Sequence, residues 1–70
     1  MVEVFKTNVE DPIHAKTLIH LLSEQFPGSR VNFDLQDCDR ILRIEGQGFI
    51  VEKVVSLVGE KGFYCECLAD

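Results

Sequence analysis

Apolar and polar residues alternate along this chain in two rhythms, and the switches between them mark six elements. Val2 to Asn8 runs with period two: Phe5 and Thr7 fall on one face, Val4 and Lys6 on the other, as in a strand with one side buried. From Pro12 to Phe26 the period lengthens. Ala15, Leu18, Ile19, Leu21, Leu22 and Phe26 gather on one side of a helix, with Lys16, His20, Ser23 and Glu24 opposite. Asp11-Pro12 suits the start of that helix, because the carboxylate can accept from free amides and proline fits the first turn. Phe26-Pro27-Gly28 ends it, since proline disfavours helical backbone in the residue before it and glycine permits the reversal.

Period two then returns in Val31 to Ile44. Val31, Phe33 and Leu35 alternate with Asn32, Asp34 and Gln36, and Leu42 and Ile44 alternate with Arg43 and Glu45. Asp37-Cys38-Asp39 lies between them, short polar side chains that bond their own backbone in turns, so the stretch predicts a hairpin with Cys38 at its tip. After Gly46-Gln47-Gly48, a second helix is expected from Phe49 to Lys61, with Ile50, Val54, Leu57 and Val58 as its apolar stripe and Gly62 as its stop. Its β-branched residues lower helix propensity, so the periodicity carries this expectation. Phe63 to Leu68 alternates again as a last strand.

The order is therefore βαββαβ, with one apolar stripe per helix and one apolar face per strand. Burying all of them needs two layers. Right-handed crossovers around a central hairpin make the ferredoxin-like α+β sandwich the simplest solution, a four-stranded antiparallel sheet with both helices on one face. In that topology the Val9–His14 loop, Cys38 and the Lys61-Gly62-Phe63 turn share one edge. The span 1–70 is read as a single domain, because a chain of 70 residues has no room for a second core.

Composition narrows the function. A net charge of −5 disfavours nucleic acid, whose phosphates need a basic surface. No apolar run approaches the roughly 20 residues that span a bilayer, and the opening MVEVFK has no signal-peptide core. A cytoplasmic protein without membrane association is expected. Its three cysteines are then read as reduced thiols. No Ser/His/Asp, Cys/His or phosphate-loop pattern stands out, so the expectation is a binding module and not an enzyme.

Over nearly its whole length the chain resembles the heavy-metal-associated domains, small copper chaperones and modules of metal-transporting ATPases. Phe5, Thr7 and Val9 resemble that family's inward positions on the first strand, and Val9 stands where its loop methionine sits. Leu18, Leu21 and Leu22 match the core face of its first helix, and Val58 to Phe63 (VGEKGF) is similar to its I-x-x-x-G-Y ending. The family's C-x-x-C cysteines would fall at Asp11 and His14, a donor pair unsuited to Cu(I). The resemblance implies a small binding or adaptor domain.

Asp11 and His14, spaced i and i+3, could with Cys38 offer ligands to a divalent metal such as Zn. The alternatives are plain: Asp11 as a helix cap, His14 as a border residue, Cys38 as a turn residue. Cys65 and Cys67 share a strand face with Phe63 and read as core hydrophobes. The outer sheet face is expected to carry Val2, Val4, Lys6, Ile41, Arg43, Glu45, Tyr64 and Glu66. Its apolar members suggest a second function, docking of an unknown protein partner or weak homodimerisation of an otherwise monomeric chain. Asp11-Pro12 also resembles the opening of ACT-type small-molecule regulatory domains, although Ile13 replaces the glycine that follows there.

Overall fold

The computed structural model describes residues 1–68; the last two positions of the 1–70 span lie outside the described residues. Its elements are β1 (Val2–Thr7), α1 (Pro12–Gln25), β2 (Arg30–Asp34), β3 (Ile41–Glu45), α2 (Val51–Glu60) and β4 (Cys65–Cys67). The strands form one antiparallel sheet in the order β2-β3-β1-β4, the ferredoxin-like arrangement. Phe5 pairs with Leu42, and Val31 with Ile44, so one parity of each strand points at the helices. These residues join Leu18, Leu22, Val54 and Val58 in a single core.

Local chemistry explains the element ends. Asp11 caps α1, its Oδ1 accepting from the Ile13 N–H at 2.8 Å, with Pro12 in the first turn. The helix stops at Phe26, whose N–H still bonds Leu22 O at 2.9 Å, and Gly28 turns the chain at φ 86°. Gly62 ends α2 at φ 92°, a left-handed value that costs glycine little.

Several boundaries differ from the sequence reading, most clearly the starts of α2 and β4. α2 starts at Val51, and Ile50 is its N-cap in extended backbone (φ −116°, ψ 126°). Ile50 is therefore off the helical repeat and 60% exposed, whereas Phe49 before it is buried against the edge of Phe26. β4 is also shorter than Phe63 to Leu68. At its start the Tyr64 N–H bonds the side-chain Oδ1 of Asn8 at 2.8 Å, so a side chain takes the place of a ladder carbonyl.

Candidate functional site

The hairpin tip is built by hydrogen bonds from its own side chains. Asp34 Oδ1 accepts from the Gln36 N–H at 3.2 Å and Asp37 Oδ1 from the Asp39 N–H at 2.8 Å. Arg40 closes the turn at φ 45°, and its guanidinium donates to the carbonyls of Leu35 (3.2 Å) and Asp37 (3.1 Å). The turn thus spans the residues between Asp34 and Ile41, wider than the three polar residues of its centre.

Thr7 fastens this tip to the end of β1. It is 4% exposed; its N–H donates to Asp39 O at 3.1 Å, and its hydroxyl donates to Arg40 O at 2.6 Å. The same hydroxyl accepts from the Val9 N–H at 3.2 Å. Two ion pairs cross the seam, Arg40 with Glu10 (3.8 Å) and Lys6 with Asp39 (3.7 Å), both partly solvated and so of small energy. On the far side of the loop the His14 ring tilts against Phe63, centroids 5.3 Å apart. The β1–α1 loop, the hairpin tip and the α2–β4 turn do share one edge.

Within that edge the candidate ligands have separate occupations. Asp11 holds its cap contact, His14 rests on Phe63, and Cys38 is exposed at the tip. Among the described residues, the cluster with ligand-type atoms all within 4.8 Å of one another is Asp37, Cys38 and Asp39. Asp11 and His14 are outside it. Two of its three members serve the turn or Lys6, which accounts for the cluster without an ion.

Cys65 and Cys67 face inward and are half-buried. Burial, and then the neighbouring Cys67, push the Cys65 thiol up to about 12, which keeps it protonated and a weak nucleophile. Cys67 Sγ donates to Glu3 Oε1 at 3.6 Å. Both belong to the margin of the core.

Among the described residues, no helix lies over the opposite face of the sheet. Val2 (45%), Tyr64 (50%) and Leu68 (38%) are exposed there, beside half-buried Val4 and Ile41. Charged neighbours are partly satisfied: Arg43 pairs with Glu45 at 3.6 Å, and the Tyr64 hydroxyl donates to Glu66 at 2.6 Å. That bond to Glu66 raises the Tyr64 pKa above its usual value. The sequence pattern anticipates this face. It misses Leu68 as an outward apolar residue, although Leu68 has the parity of Tyr64 and Glu66. Thr7 is inward by parity, but its bonds to the tip have no signature in local sequence.

Comparison of the chain with protein-family models, with curated proteins and with solved structures returns no match. The likeness to heavy-metal-associated domains therefore rests on residue pattern and element order alone.

Proposed function

We propose that this domain is a small non-catalytic binding module that docks a protein partner on the uncovered face of its sheet. The observation that carries the reading is the row of exposed apolar side chains, Val2, Tyr64 and Leu68, on a face with no helix over it. Apolar groups interleaved with Lys6, Arg43 and Glu66 give a mixed surface of the kind found at non-obligate interfaces. Affinity capture compares the wild type with Val2→Glu/Tyr64→Glu on this face and with Lys16→Glu on the exposed side of α1. The partner should remain with wild type and Lys16→Glu and be lost from the face variant. Equal capture by all three proteins sinks the reading.

A second reading keeps the metal of the heavy-metal-associated resemblance, a divalent ion such as Zn(II) held by Asp11, His14 and Cys38. It is favoured by the seam at the shared edge, where Thr7 and Arg40 tie the hairpin tip to the β1–α1 loop. The ion would have to draw Asp11 from its cap. Calorimetric titration of Zn(II) into reduced protein, with Cys38→Ser as the comparison, tests it; binding that survives Cys38→Ser removes that ligand set.

A further inference from the structure

β2 occupies one margin of the sheet, next to β3 alone. The direction of its backbone groups follows from the register. Gly46 N–H bonds Met1 O at 2.9 Å, so Met1–Gly46 is a hydrogen-bonded pair of the β1–β3 ladder. Along that ladder the bonded pairs alternate, so Leu42 and Ile44 turn their backbone groups toward β1. Ile41, Arg43 and Glu45 then turn theirs toward β2, where they meet Asp34, Asn32 and Arg30. What is left over on β2 is the backbone of Val31 and Phe33, whose N–H and C=O groups face outward from the sheet edge.

The sequence of this edge, Arg30-Val31-Asn32-Phe33-Asp34, is complementary to itself when reversed. An antiparallel copy with the two-fold axis at Asn32 sets Val31 opposite the partner's Phe33, and each such pair exchanges both of its free backbone hydrogen bonds. Asn32 meets Asn32. Arg30 meets the partner's Asp34 twice, once on each side of the axis, on the outer face. These charge pairs fall at non-hydrogen-bonded positions, where Cα atoms approach to about 4.5 Å and side chains are closest. On the inner face, the half-buried Phe33 gains cover from the partner's Val31.

We propose that two copies of this domain associate edge to edge through β2 in this register, joining their sheets into one. The alternatives are less well matched. Moving the axis to Phe33 sets Asn32 against the partner's Asp34 and leaves Arg30 without its carboxylate. The other margin, β4, is only 3 residues long, too short to offer a comparable ladder. The pairing goes beyond partner docking on the sheet face: it would set two such faces side by side. Because Arg30 and Asp34 are separate from Val2 and Tyr64, each proposal can fail without the other.

Sedimentation equilibrium from micromolar to millimolar protein should show a weak monomer–dimer equilibrium. Arg30→Asp and Asp34→Arg each replace both attractive pairs by repulsive ones, and each should weaken self-association by about tenfold or more. An equimolar mixture of the two variants should associate as a heterodimer, because both of its charge pairs again set an aspartate against an arginine. Circular dichroism reports whether each variant keeps its fold. In the wild type, hydrogen exchange of the Val31 and Phe33 amides should slow with concentration, while the Asn32 amide, already bonded to β3, should not change. Monomer throughout the range overturns the proposal. So does a dimer that both variants leave intact, or concentration-independent exchange at Val31 and Phe33.

Discussion

Replacing Thr7 by valine keeps the shape of the side chain and removes the hydroxyl that joins the end of β1 to the hairpin tip. The change strands the Arg40 carbonyl, which accepts that hydroxyl at 2.6 Å, and the Val9 N–H, which donates to it at 3.2 Å. Leaving a buried polar group without its partner costs about 1–3 kcal/mol, and the new methyl returns about 0.8 kcal/mol through apolar burial. Arg40 is only half-buried and can recruit water, so the cost is set mainly by Val9, at about 2 kcal/mol, and the net loss after the methyl is about 1.2 kcal/mol. For 70 residues the unfolding entropy is about 0.15 kcal/mol/K, so Tm should fall by roughly 8 °C. Thr7→Ser keeps the hydroxyl and loses only a methyl, worth about 0.8 kcal/mol or some 5 °C. Thermal and urea melts of the three proteins, followed by circular dichroism, give the comparison. If Thr7→Val melts at or above the wild type, the bonds through this hydroxyl do not hold the edge together, and the reasoning is refuted.

Other perturbations isolate other parts of the molecule. Asp11→Ala should cost about 1 kcal/mol by removing the α1 cap, and Asp11→Asn much less; equal losses in urea melts would show that the charge and not the cap contact matters. At Arg40, glycine should be less damaging than alanine by about 1 kcal/mol, because both lose the guanidinium bonds and only glycine relaxes at φ 45°. Raising the pH should weaken the fold through Cys65. Its thiol is held protonated to about 12 in the folded chain against an ordinary 9.0, so its contribution is intact below about 9 and is lost between the two values. Cys65→Ala should flatten that part of the stability profile, and an unchanged slope counts against the assignment.

The fold was legible because each strand and helix repeats its pattern often enough to be read. Phe5, Leu42, Ile44, Leu18 and Leu22 could be assigned inward from periodicity, and all are buried. Ile50 misled for the opposite reason: a single apolar residue at a helix boundary fits the helical repeat whether or not its backbone is helical. The site was less legible. Cys38 could be put at the hairpin tip, though its exposure could not be read, and its edge could be named from topology. Which side chains there are engaged depends on contacts distant in sequence, such as Thr7 with Arg40 and His14 with Phe63. Those contacts are made by backbone carbonyls and ring faces, which leave no residue-type signal. The β2 margin is different again. Its self-complementary charges can be read in five letters, but they gain meaning only once the ladder shows which backbone groups are unspent.

The antiparallel pairing of β1 with β4 also decides where the chain enters and leaves. Met1 O is bonded to Gly46 N and Leu68 N to Val4 O, both at the end of the sheet away from the hairpin tip. Met1 and Leu68, the two ends of the described chain, therefore both lie on the side opposite Cys38 and the β1–α1 loop. Tethered by either end, to a surface or to a further domain, the molecule would hold its loop edge outward like the free end of a bracket. A fluorophore on Cys38 should accordingly report on binding at that edge without interference from the anchor.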